Sequence, residues 1–198
     1  MIPGRVAVPA AVLIVLAAAL AAWFLTRGGP VRPATFRGEA TSAMYAAIDS
    51  RQSDAAPLTT GEVFTPATAK LGELTRGAAE QLGDCADALD GPDAPGCTQA
   101  LRATYTGQKV NGQFVIFNLP DGRAADALVT ALGKDGFLEQ AVAFDTARSW
   151  AQARALGHYV TVSWVGPAAE GGKVDLTRSQ VALDTLARVV QSRILKAV

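Results

Sequence analysis

Two cysteines, one histidine and three tryptophans are the scarce reactive or recognition side chains of this 198-residue chain. Cys85 and Cys97 bracket a loop of thirteen residues. Bridged, a loop of that length gains about 3 kcal/mol from the restricted unfolded chain. The pair forms no Cys-x-x-Cys redox motif and has no companion His/Cys cluster for zinc. A structural disulfide is therefore expected, with two buried thiols as the alternative. Such a bridge places the domain on the oxidising side of a membrane. Glu80, Asp84, Asp87, Asp90 and Asp93 form an acidic run, but it lacks the alternating ligand ladder of a calcium loop and reads as a solvated segment. His158 has no Gly-x-Ser-x-Gly or other nucleophile motif beside it. Trp150, Tyr159 and Trp164, together with His158, could line a groove for an extended ligand, and would serve equally as sheet core. No catalytic residue, cofactor site or metal site is assigned.

What must position these residues begins with Val6–Leu25, twenty residues without a charge. As a helix they cover about 30 Å, the hydrocarbon thickness of a bilayer. Ten of the twenty are Val, Ile, Leu or Phe, so insertion is favourable by roughly 3–6 kcal/mol. Trp23 and Arg27 suit the headgroup layer. The alternative is a signal peptide cleaved after Ala19-Leu20-Ala21, but Trp23-Phe24-Leu25 carry the apolar run past that site. Arg5 on one side and Arg27, Arg32 and Arg37 on the other leave the orientation open by charge. The cysteines decide it, with residues 1–5 a short cytoplasmic tail and the C-terminal domain extracytoplasmic.

Residues 26–60 read as a juxtamembrane linker, rich in Gly and Pro, with a short helix over Glu39–Arg51. The domain follows over 61–198. Thr65-Pro66 opens a helix, and Ala67, Leu71, Leu74, Ala78, Leu82, Cys85 and Leu89 recur at helical spacing up to Leu89. Thr98–Thr106 and Gln113–Leu119 form a hairpin about Asn111-Gly112. Asp121 caps a helix through Leu132, ended by Gly133. Ala147–Leu156 reads as a strand rather than a helix, with Trp150, Gln152, Arg154 and Leu156 facing one way. His158–Val165 is its partner, and Val174–Val198 a closing helix. The order helix, hairpin, helix, hairpin, helix predicts an α+β fold, a four-stranded antiparallel sheet with helices on one face.

Residues 28–198 hold sixteen Lys and Arg against eighteen Asp and Glu. That balance argues against nucleic acid, which needs a basic surface. Leu101-Arg102-Ala103-Thr104-Tyr105, Phe117-Asn118-Leu119-Pro120-Asp121 and Gly157-His158-Tyr159-Val160 resemble uncharacterised single-pass membrane proteins of actinobacteria. The resemblance implies an anchor plus an extracytoplasmic α+β domain, and no activity. The expected function is a non-enzymatic binding, accessory or sensing module of the cell envelope. Its partners would be the bilayer, through residues 6–25, and an envelope protein. The rival is an envelope hydrolase or small-ligand carrier using His158, which requires an acid and a serine to converge on that imidazole.

Overall fold

The computed structural model describes residues 31–168 and 172–197. The expected anchor over residues 6–25 and its cytoplasmic tail lie outside the described residues. Among the described residues no helix is long and apolar enough to cross a membrane.

Two antiparallel hairpins make the centre of the sheet. The first joins β5 (Gln99–Thr106) to β6 (Val110–Asn118), and the second joins β8 (Trp150–Leu156) to β9 (Tyr159–Pro167). They meet through β6 and β9, which pair antiparallel from Val110↔Pro167 to Asn118↔Tyr159. Their sequences explain the position: Phe114-Val115-Ile116-Phe117 is apolar on both faces, as a strand covered on both sides must be. Three further strands widen the sheet. β3 (Leu74–Gln81) pairs with β5, the short β2 (Lys70–Leu71) with β3, and β1 (Thr35–Glu39) runs parallel to β8. The order is β1-β8-β9-β6-β5-β3-β2, and the sheet curls into a half-barrel; β4 (Leu89–Asp90) and β7 (Phe137–Leu138) pair antiparallel in a separate two-stranded ladder.

This corrects the predicted four-stranded sheet with helices on one face. The predicted helix over 66–89 is mostly strand: Pro66–Thr68 is one 3-10 turn, β2 and β3 follow, and Cys85–Ala88 is another 3-10 turn. Gly72, Gly77 and Gly83 cost such a helix about 1 kcal/mol each. Gly72 instead takes φ +62° in the β2–β3 turn, and pairing to β5 supplies the backbone partners. Residues 31–60 are not a free linker, since the folded unit starts at Val31. Thr35–Glu39 is an edge strand, and Ser42–Ile48 is a 3-10 segment broken at Tyr45. The first central hairpin turns at Gly107–Lys109, because Asn111 and Gly112 already pair within β6. A side chain at Gly112 would press on the Trp164 carbonyl and Val165.

Helices cover both faces. On one, α2 (Gly122–Leu132) lies on β8, β9 and β1, against Ala151, Ala153 and Ala155, whose methyl side chains permit close approach. As predicted, Asp121 caps it, accepting from the Ala124 N–H at 2.8 Å. Arg32 closes its other end, donating to the carbonyls of Leu132, Gly133 and Lys134. The opposite face is covered by 42–64, including the short α1 (Thr60–Val63), and by α3 (Thr177–Asp184) and α4 (Arg188–Ala197). A 3-10 turn, Thr185–Ala187, joins α3 to α4, so the closing helix is bent where one straight helix was expected. Strand alternation sends Val160, Val162 and Trp164 to the α2 face and Tyr159, Thr161, Ser163 and Val165 to the other.

Candidate functional site

The four residues proposed to line one groove are separated by the pleat. Trp164 points to the α2 face and is fully buried. Its ring meets Phe137 at 4.8 Å and Phe144 at 5.0 Å, both edge-to-face, and its indole N–H donates to Ser149 Oγ at 2.9 Å. Every part of it is engaged in packing. Tyr159 lies on the opposite face, also fully buried. The groove is therefore not formed by these four residues.

His158 and Tyr159 do come together, at the turn between β8 and β9. Gly157 takes φ +61°, the conformation that two-residue hairpin turns reserve for glycine. A Cβ there would collide with the Ile48 carbonyl oxygen. That carbonyl accepts from the His158 backbone N–H at 2.9 Å and from the imidazole Nδ1, also at 2.9 Å. A carbonyl only accepts, so Nδ1 carries the proton and Nε2 holds a lone pair. Nε2 is buried without a protein partner among the described residues. Burial pushes the imidazole below its ordinary pKa. The Ile48 bond and the charge of Asp54 oppose that shift, while Arg51 and Arg193 add to it.

Around this histidine the chain builds a clasp. Tyr159 donates to Asp54 Oδ2 at 2.8 Å, and Arg193 of α4 donates to Asp54 Oδ1 at 2.9 Å. Arg193 also reaches the carbonyls of Ala56 at 2.7 Å and Pro57 at 3.1 Å. Burial and the bond to Asp54 raise the Tyr159 phenol far above its usual range. Arg193 is the buried pin that holds segment 54–57 to α4. Asp145, at the far end of the hairpin, pairs with Arg148 at 2.6 Å. Among the described residues no serine and carboxylate converge on His158, so the arrangement required by the hydrolase reading is not formed.

The cysteines meet as expected. Cys85 and Cys97 are bridged, with Cα atoms 6.2 Å apart. Cys85 arrives there from the 3-10 turn rather than from a helix stripe. Asp84 and Asp87 of the acidic run form a reciprocal cap on that turn. No group of His, Cys, Asp and Glu suited to a metal ion occurs among the described residues.

Trp150 is the one candidate left at the surface. It is half-buried and lines a cleft of about 520 Å³ with Thr35, Ser149, Asp175, Leu176 and Thr177. Farther along the same face, Arg154 bridges two carboxylates, Glu39 at 2.9 Å and Asp184 at 2.6 Å, and Gln152 donates to Glu39 at 3.2 Å. Burial raises the Asp184 pKa, against the pull of Arg154. Sequence reasoning missed this polar strip and the Arg193 clasp. A signal for the strip was present: Gln152, Arg154, Thr161 and Ser163 recur at period two in an otherwise apolar hairpin. The clasp had none, because Asp54 lies 105 residues from Tyr159 and 139 from Arg193.

No family model, curated protein or solved structure matches the chain.

Proposed function

We propose that residues 31–197 form a non-catalytic binding module, held at a membrane by residues 6–25 and exposed to the oxidising space outside it. The observation that carries this reading is the use made of the reactive side chains. Cys85 and Cys97 are bridged, and His158 and Tyr159 fasten one segment of chain to the sheet. A disulfide on a thirteen-residue loop is at home in an oxidising compartment. A rigid sheet covered on both faces suits presentation of a surface better than movement around a substrate. An envelope protein is the partner class this arrangement fits.

Side-selective labelling tests the placement. Lys70, Lys109, Lys134 and Lys173 are exposed. A membrane-impermeant amine reagent added to intact cells is expected to modify them. Modification only after lysis would put the domain on the inner side and overturn the reading.

A further inference from the structure

The seven-stranded sheet ends in two unlike edges. At one, β2 is two residues long and β3 is broken by a bulge between Arg76 and Ala79. Short strands and bulges are common ways of spoiling an edge for pairing with another chain. At the other edge, β1 keeps register with β8 from Thr35 to Glu39 without a bulge or a proline. The Thr35 N–H donates to the Ser149 carbonyl at 3.0 Å. In a parallel ladder that bond fixes the alternation. Thr35, Arg37 and Glu39 turn their backbone groups to β8, whereas Phe36, Gly38 and the following Ala40 turn theirs outward. Gly38 and Ala40 are exposed. Exposure of a glycine is exposure of backbone, so among the described residues the edge is open at Gly38.

Charge along β1 narrows what can pair there. The Arg37 side chain is 69% exposed, and Glu39 stands beside it on the same face at 3.0 Å. In an antiparallel ladder, outward residues must oppose outward residues. A second copy of β1 can therefore be centred on Arg37, on Gly38 or on Glu39. The first choice sets Arg37 against Arg37, and the last sets Glu39 against Glu39. Centring on Gly38 sets Arg37 of each copy against Glu39 of the other. Those are the closely spaced, non-hydrogen-bonded positions, where unlike charges attract and like charges repel. In that register Gly38 meets Gly38 and Phe36 meets Ala40, each pair exchanging its backbone hydrogen bonds. A two-fold axis then passes between two residues without side chains, the isologous arrangement of a closed dimer. So short an edge buries far less than the roughly 800 Å² per partner of a stable interface. The contact is accordingly weak in dilute solution and forms where copies are crowded together.

We propose that β1 pairs antiparallel with β1 of a second copy of this chain, about Gly38, joining two sheets into one. The inference goes beyond the binding-module reading and does not depend on which side of a membrane the domain faces. It is tested in membranes isolated from cells that make two differently tagged full-length copies. Both native cysteines are bridged, so an introduced cysteine is the one free thiol of its chain. With Arg37→Cys in one copy and Glu39→Cys in the other, mild oxidation should link the two tags. That link should exceed by about fivefold or more the link between two Arg37→Cys copies, whose diagonal separation of about 7–8 Å is beyond a disulfide's reach. Copies carrying Lys70→Cys, on the opposite edge of the sheet, give the level of chance collision. A second readout keeps β1 unmutated, should Glu39→Cys fold poorly. Energy transfer between donor and acceptor fluorophores fused to full-length copies should exceed that to an unrelated membrane protein. Arg37→Glu, which sets carboxylate against carboxylate in the paired register, should lower that excess about threefold. Mixed linking no stronger than the Lys70→Cys level, or energy transfer that Arg37→Glu does not change, overturns the proposal. Linking between two Arg37→Cys copies as strong as the mixed link would put the axis on Arg37 and overturn it as well.

Discussion

The two faces of the sheet are built from the same strands and hold their cover in different ways. The α2 face is closed by hydrocarbon and aromatic contact. Phe36, Phe137, Phe144 and Trp164 interlock edge to face, and the disulfide lies at its margin. Its buried Gln113 is fully engaged, donating to the Glu139 carbonyl at 2.8 Å and accepting from the Ala141 N–H at 2.7 Å. The other face is closed by polar clasps. Arg193, Asp54, Tyr159, Gln180, Ser163 and Gln99 fasten segments that arrive from both ends of the described chain. Among the described residues, the buried side-chain atoms without a protein partner, on Asn118, His158 and Gln180, belong to this second face and its rim. A dry face resists substitution through volume. A clasped face resists it through the penalty for leaving a charge or a donor alone.

That contrast can be broken most forcefully on the dry side. Trp164→Ala removes a fully buried ring and is expected to cost about 3–5 kcal/mol in denaturant unfolding. A cost below about 1 kcal/mol would deny that aromatic packing holds this face. On the clasped side, Arg193→Met leaves Asp54 buried without its cation, at an expected cost of about 3 kcal/mol. Adding Asp54→Asn should recover part of that loss, since the penalty is the stranded charge. No recovery in the double variant would show that Arg193 acts through packing alone.

Much of this difference was legible before the structure. Apolar alternation located β5, β6, β8 and β9, and Asp121 and Gly133 bounded α2 within a residue. Helical spacing misled at 66–89, where Leu71, Leu74, Leu82 and Cys85 satisfy a period of three and four by coincidence. Local pattern could not reveal that β5 offers a free edge to that segment. The same blindness hid β1, since Thr35–Glu39 becomes a strand only because β8 lies beside it. The cysteine pair was readable from spacing and from the absence of other partners. The Arg193 clasp was not, because Asp54, Tyr159 and Arg193 carry no local signature.

Smaller effects sharpen the comparison. Cys85→Ala with Cys97→Ala is expected to lower stability by about 2–4 kcal/mol without abolishing the fold, as measured by unfolding of the full chain. His158 should confer a pH dependence on the clasped face. Its folded pKa is depressed by burial, so the neutral ring stabilises the fold above the unfolded value of about 6.5. As pH falls below about 6.5 the unfolded state takes up the proton first, and stability declines until the folded pKa is passed. The slope from this group is at most about 1.4 kcal/mol per pH unit. His158→Asn keeps a donor near the Nδ1 position and cannot titrate there. It should flatten this part of the acid limb and leave stability at pH 8 within about 1 kcal/mol. An unchanged limb would assign the dependence to other groups. Smallest of all, Arg37→Ala on the exposed edge strand should change stability by less than about 0.5 kcal/mol.

The central claim is that the two cysteines are committed to a bridge, and that the domain therefore works in an oxidising space. It is tested most directly on full-length protein taken from its native membranes, with thiols blocked by a mass label at the moment of lysis. No label is expected on Cys85 or Cys97 until a reductant is added, and then two. Two labels without reductant would contradict the claim and remove the main argument for an outward-facing domain.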